Sequence, residues 1–254
     1  MVFAEIAVRG AVGGNRDADA GGEQAVGFAE KLQPHDDRLP MALFYLGNCY
    51  AGKRDFVRAE KTLLRNLEVS KEMYGADSAS LTMPLQAIGG YYLFRENYDS
   101  AIDYFSRAVD LNEKAFGEVN DNVADTLRLL ASAYVKEKAY DKAEPILLRA
   151  VRIEEFLHGQ QGVGMNLPIF YLCALYEEWG KPDKAEPRYR EYITMLEKQY
   201  GEDSPILISV LKDEARVLQK LGRSEDVTKV EQRIESIRAA VGPTDEQPLP
   251  QPLQ

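Results

Sequence analysis

KEMYGADS, residues 71–78, reads as the end of one helix, a stop and the approach to another. Lys71, Glu72, Met73 and Tyr74 suit a helix, Gly75 suits its termination, and Ala76-Asp77-Ser78 suits a following cap. Nearly the same phrase returns as KAFGEVND at 114–121 and as KQYGEDSP at 198–205. A helix end that recurs at a fixed interval implies an architecture built by repetition.

Shifting the chain against itself by 42 residues aligns four columns. The glycine falls at Gly75, Gly117, Gly159 and Gly201, a tyrosine at Tyr50, Tyr92, Tyr134 and Tyr176, and an alanine at Ala59, Ala101, Ala143 and Ala185. An aromatic recurs at Phe56, Tyr98 and Tyr140, with Pro182 interrupting it. Within a unit the apolar spacing is helical. Ile88 and Tyr92, then Ala101, Phe105, Ala108 and Val109, step mainly by three and four, which places each set on one helix face. Short polar turns separate the two runs, as in RENYD at 95–99. Each unit is therefore two antiparallel helices, the first of about 14 residues and the second of about 20.

The recurring glycine sits where a helix C-terminus needs positive φ, and the Asp, Asn or Ser that follows (Asp77, Ser78, Asn120, Asp121, Asp203, Ser204) is placed to cap the next helix. The small alanines let paired helices approach closely. The repeat fades at both ends, as the terminal units of a stacked array must when one face meets water: Leu218 replaces the tyrosine, Val227 replaces the alanine, and EQAVGFAEKL (23–32) reads as the second helix of an incomplete unit. These readings divide the chain into a flexible segment 1–21, a solenoid 22–240 and a disordered proline-rich tail 241–254. The solenoid holds a leading helix and about five helix pairs, near 40–75, 82–117, 124–159, 166–201 and 207–240.

Composition narrows the function. The net charge is -10, from 41 acidic and 31 basic residues, which disfavours nucleic acid and anionic membrane surfaces. No apolar run approaches the roughly 18 residues of a membrane span. The start, MVFAEIAVRGAVGG, lacks a basic segment followed by a sustained apolar one, so a cytoplasmic location is expected. The two cysteines, Cys49 and Cys173, and the two histidines, His35 and His158, form no compact ligand spacing in sequence. No metal site and no cofactor are expected on that ground. Catalysis is not expected either: a nucleophile needs a base within reach, the histidines sit near turns between units without an evident partner, and Glu177-Glu178 are helix neighbours that do not face one another.

The columns resemble the tetratricopeptide repeat. The resemblance rests on Gly47, Tyr50, Phe56, Ala59 and Leu63 in LGNCYAGKRDFVRAEKTLL, on Gly89, Tyr92, Tyr98, Ala101, Phe105 and Ala108, and on Ala131, Tyr134, Tyr140, Ala143, Leu147 and Ala150. The long interval, and a glycine after a Lys/Glu pair and an aromatic, look like the kinesin-light-chain-type subclass. The resemblance implies an all-α, right-handed α-solenoid of antiparallel helix pairs, a superhelix used as a non-enzymatic binding scaffold that holds peptides or partner domains in a concave groove lined by the first helices. In that subclass the groove carries a leucine-asparagine-asparagine-leucine phrase. Here the corresponding pairs are Phe44-Tyr45, Gln86-Ala87, Arg128-Leu129, Phe170-Tyr171 and Lys212-Asp213, so the subclass's cargo preference is not carried over.

Carrying the helical phase through the first helices places Phe44, Tyr45, Asn48, Gln86, Phe94, Arg128, Ser132, Lys136, Phe170, Tyr171, Lys212 and Arg216 on the groove side. Aromatics beside amides and basic groups suit a peptide or helix with an acidic stretch next to an apolar anchor. Lys and Arg are equally what a solvated helix face carries, and Phe or Tyr at an inner rim also packs between units. Two other readings stay open: a self-associating assembly module, and a regulatory sensor of a small signal peptide. Trp179 and Cys173 are read as packing residues.

Overall fold

The structure is a computed structural model that describes Glu23, Gln24, Gly27 and residues 38–159 and 166–241. The segment 1–21 expected to be flexible, most of the leading helix and all but the first residue of the tail lie outside the described residues. Among the described residues there are ten α-helices: α1 (Arg38–Gly52), α2 (Phe56–Tyr74), α3 (Thr82–Phe94), α4 (Tyr98–Phe116), α5 (Asp121–Lys136), α6 (Tyr140–His158), α7 (Asn166–Glu178), α8 (Pro182–Tyr200), α9 (Leu207–Lys220) and α10 (Ser224–Val241). The chain divides between Glu118 and Val119 into two units, with α1–α4 in the first and α5–α10 in the second.

Five hairpins result. Each odd-numbered helix packs chiefly on the helix that follows it, and within each unit the second helix of one hairpin packs on the first helix of the next. In unit 1 the core is built from Leu43, Leu46, Tyr50, Leu63, Leu67, Leu85, Ile88 and Tyr91. In unit 2 it is built from Leu147, Ile169, Leu172, Tyr189, Ile193, Leu196, Leu211, Val217 and Ile237 among others. This is the all-α, helix-pair architecture the periodicity called for.

The close approach inside a hairpin is set by a small-residue column. A Cβ added at Gly47 would lie 2.6 Å from Leu63 Cδ2, and one added at Gly89 would lie 2.7 Å from Phe105 Cε1. Later hairpins carry Ala131 and Cys173 at the same place, both fully buried. Burial pushes the Cys173 thiol well up, which makes it a packing group rather than a nucleophile.

The glycines that end the second helices have φ of 88° at Gly75, 83° at Gly117, 74° at Gly159 and 93° at Gly201, with ψ between 154° and 167°. The positive φ is as anticipated for a helix stop, and the ψ makes the place more restrictive still. The backbone is extended at positive φ, a combination essentially reserved for glycine.

The capping expectations hold in part. Ser78 caps a short 3-10 turn, Ala79–Leu81, by accepting from Ser80 N at 3.2 Å, and Asn120 caps α5 by accepting from Asn122 N at 2.9 Å. Asp77 instead pairs with Lys114 at 3.0 Å, and Asp121 is the first residue of α5 rather than its cap. Asp203 and Ser204 lie too early: α9 begins after Ile206, without a side-chain cap.

The turn inside each hairpin holds one residue at positive φ, namely Arg54, Glu96, Lys138, Gly180 and Gly222, at φ of 60°, 58°, 66°, 70° and 70°. The next residue precedes the second helix. Asp55 and Asn97 use their side chains as caps there, while Ala139 and Lys181 have none to offer.

Neighbouring hairpins are tied by the tyrosine column. Tyr92 donates to Glu60 Oε1 at 2.6 Å in unit 1, and Tyr176 donates to Glu144 Oε1 at 2.7 Å in unit 2. Each glutamate follows the repeat alanine directly. Where Leu218 replaces the tyrosine, the equivalent Glu186 is held by Arg190 and Arg223 instead.

Candidate functional site

In unit 1 the first helices α1 and α3, which bear candidate residues, touch one another. Phe44 and Tyr45 meet edge to face at 5.4 Å, both half-buried. The Asn48 amide donates to Phe44 O, one turn back in its own helix, at 2.8 Å. Gln86 is half-buried and engaged with its surroundings. A Cβ at Gly90 would meet nothing within 4 Å, so α3 is open on that side. Phe94 belongs to a different cluster: at the end of α3 its ring lies 6.0 Å from Phe56, the first residue of α2, and the Arg95 guanidinium sits 4.1 Å from the Phe56 ring.

In unit 2 the surface is drawn from α5, α7 and α9. Phe170 and Tyr171 form a second edge-to-face pair at 6.1 Å, and Phe170 also packs on Tyr192 of α8 at 5.8 Å. Arg128 reaches from α5 to place its guanidinium 5.5 Å from the Tyr171 ring centre while pairing with Asp125. Ser132 donates to Leu129 O at 2.7 Å. Lys136 stands 4.0 Å from Glu178 of α7, and Arg216 contacts both Glu177 of α7, at 3.2 Å, and Asp213. Lys212 is exposed. Trp179 stacks on Tyr140 at 5.9 Å, a packing role.

Two features differ from the sequence reading. Arg128 is not an exposed groove cation: only 13% of its side chain is accessible, because it is drawn down between Asp125 and Tyr171. The basic residues also do not stand alone on this face, since Asp125, Asp213, Glu177 and Glu178 are interleaved with them. Two of these acids were readable, as Asp125 and Asp213 each precede an arginine by three residues, the spacing at which helix side chains meet. Glu177 and Glu178 face opposite neighbours, toward α9 and α5, and form no dyad. Burial raises the Asp213 carboxyl above its usual range despite Arg216.

A third grouping has no counterpart in the sequence reading. His158 has partners after all: its Nε2 lies 2.6 Å from Asp121 Oδ1 and 3.5 Å from Glu154 Oε2. Asn120 fixes the start of α5, and α6 returns alongside it, so the last turn of α6 arrives beside Asp121. Glu154 and His158 are four residues apart and share a helix face. The hydrogen bond with Asp121 raises the His158 pKa, and burial raises that of Glu154.

Among the described residues no helix is long and apolar enough to cross a membrane. No curated protein sequence matches the chain significantly. Among solved structures, the chain is similar to BtubC (BKLC) from P. vanneervenii, with 20% identity, coverage of 93% of this chain and 96% of that one, and a TM-score of 0.75. It is similar to the nearly identical TPR-like repeats of a putative kinesin light chain from Podosopora anserina, with 15% identity, 82% and 98% coverage and a TM-score of 0.69. It is also similar to YrrB, described as a TPR protein with an unusual peptide-binding site, with 18% identity, 85% and 94% coverage and a TM-score of 0.51. The family profile "Tetratricopeptide repeat" matches residues 38–114 and, overlapping, 82–155. With that match, the 42-residue columns and the stacked hairpins in agreement, residues 38–155 form a tetratricopeptide-repeat array.

Proposed function

We propose that this interaction scaffold works, without catalysis, by taking a peptide or helical segment on the unit 2 face formed by α5, α7 and α9. Its ligand carries an apolar anchor for Phe170 and Tyr171 and an acidic stretch for Lys136, Lys212 and Arg216. The observation that carries the reading is the edge-to-face pair Phe170–Tyr171 flanked by these cations on neighbouring first helices. An aromatic pair offers flat apolar contact, and the exposed cations (Lys136 at 59% and Arg216 at 51% of the side chain) can exchange an intramolecular carboxylate for one on the ligand. Peptide binding by YrrB supports the class of ligand. The edge-to-face pair Phe44–Tyr45 on unit 1 repeats the aromatic half of the motif.

Selection of random displayed peptides on the immobilised full chain tests the reading. Recovered peptides should combine acidic residues with an aromatic or large aliphatic one. Their affinity should fall at least about tenfold, roughly 1.4 kcal/mol, for the triple variant Lys136→Glu, Lys212→Glu and Arg216→Glu, and for Phe170→Ala. Peptides without acidic residues, or equal affinity for wild type and both variants, would refute it.

A further inference from the structure

We infer that Asp121, Glu154 and His158 form a binding site for one divalent transition-metal ion of the zinc type, where the start of α5 meets the end of α6. Each residue offers one ligand atom, a nitrogen and two carboxylate oxygens in all, and the three lie within 4.8 Å of one another. Zinc bonds to such atoms are about 2.0–2.2 Å long, which sets tetrahedral ligands roughly 3.4 Å apart. The separation of His158 Nε2 from Glu154 Oε2, 3.5 Å, stands at that value, and that from Asp121 Oδ1, 2.6 Å, falls short of it. The shorter contact joins two accessible side chains, with 38% and 58% exposure, which have the freedom to separate by under roughly 1 Å.

Glu154 is the observation that points to a ligand. The residue is only 5% exposed, and its Oε2, aimed at His158, accepts no hydrogen bond. His158 presents a single atom, Nε2, to both carboxylates, and one proton there serves Asp121. A buried carboxylate oxygen left without a hydrogen bond is costly. A cation between the three residues satisfies all of them at once. Nearby Arg128 is already paired with Asp125.

The donor set decides the class of ion. Magnesium and calcium take six or more oxygen ligands, whereas an imidazole with two carboxylates suits zinc and its neighbours. Three protein ligands leave the fourth position at the exposed rim to water. An ion bound here clasps the first turn of α5 to the last turn of α6.

Titration calorimetry with zinc chloride on the full chain, after chelator treatment, tests the site in wild type, His158→Gln, Asp121→Asn and His35→Gln. Wild type and His35→Gln should bind one zinc per chain with equal affinity. His158→Gln and Asp121→Asn should bind it at least about tenfold more weakly, and magnesium should not compete. Zinc should raise the melting midpoint of the wild type and leave that of His158→Gln in place. Both altered residues are exposed, so the variants are expected to stay folded for comparison. No zinc binding up to millimolar concentration, equal affinity in wild type and the two cluster variants, or loss of binding in His35→Gln alone would each overturn the assignment.

Discussion

Neighbouring glycines in α3 allow the approach of paired helices to be measured with its own control. Alanine at either position gains the helix propensity that glycine lacks, about 0.8–1.0 kcal/mol. At Gly90 the added Cβ meets nothing within 4 Å, so the full gain should appear. At Gly89 it would lie 2.7 and 2.8 Å from Phe105 Cε1 and Cδ1, and Phe105 is 1% exposed with little room to withdraw. Overpacking of this kind costs about 1–3 kcal/mol. The propensity term is common to both variants, so Gly89→Ala should be about 1–3 kcal/mol less stable than Gly90→Ala, or about 2–4 °C in melting midpoint per kcal/mol for a chain of this size. The chain also contains its own rescue. In the third hairpin Ala131 and Leu147, each shifted by 42 residues from Gly89 and Phe105, pack together in the core. Adding Phe105→Leu to Gly89→Ala should therefore cost less than the sum of the two single changes, by about 1 kcal/mol or more. Urea unfolding followed by far-ultraviolet circular dichroism reads the wild type and all four variants. Gly89→Ala as stable as Gly90→Ala, with no coupling to Phe105, would refute the claim that backbone proximity sets the hairpin.

Other consequences can be measured on the same protein. Ala139 has the backbone of a cap, φ -84° and ψ 59°, close to that of Asn97 at -92° and 78°, without the side chain; Ala139→Asn should stabilise by about 0.5–2 kcal/mol in urea unfolding. Lys138 holds φ of 66° in the turn where two other hairpins place glycine, and Lys138→Gly should gain about 1 kcal/mol, read as a higher melting midpoint. Burial raises Tyr192 from 10.0 to about 12, and burial with the Glu23 hydrogen bond raises Tyr50 to about 12. Because the folded values lie above the unfolded one, this stabilisation is complete below pH 10 and is lost as pH climbs toward 12; the urea midpoint should fall steeply over that window, with phenolate absorbance appearing together with unfolding.

Much of the architecture was legible because it repeats. Gly75 and its three equivalents announced the helix stops, and Ala59, Ala101, Ala143 and Ala185 announced close-packed positions, all of them fully buried, since periodicity averages out the noise of any one position. The turn residue at positive φ was harder to see: its column reads Arg54, Glu96, Lys138, Gly180, Gly222, and the three charged members mask the two glycines. The candidate surface was legible in its aromatics and less so in its charges. A helical phase places Arg128 on a face, but its burial depends on Asp125 and on Tyr171 of the next hairpin. The cluster of Asp121, Glu154 and His158 escaped notice because two of its members are on the helix opposite the first, and only the return of α6 along α5 joins them.

The tyrosine link between hairpins has a bearing on how such a chain can lengthen. Tyr92–Glu60 and Tyr176–Glu144 span the same sequence distance, 32 residues, and join the same two places of successive hairpins. A hairpin copied in tandem therefore arrives with one half of a fastening at each edge, and the new seam closes without any further substitution. The seam between α8 and α9 is made differently, with Leu218 offering no hydroxyl and Glu186 already claimed by two arginines. A copy inserted there would inherit a mismatched edge, so growth by duplication is easy through the tyrosine-bearing hairpins and obstructed at α9.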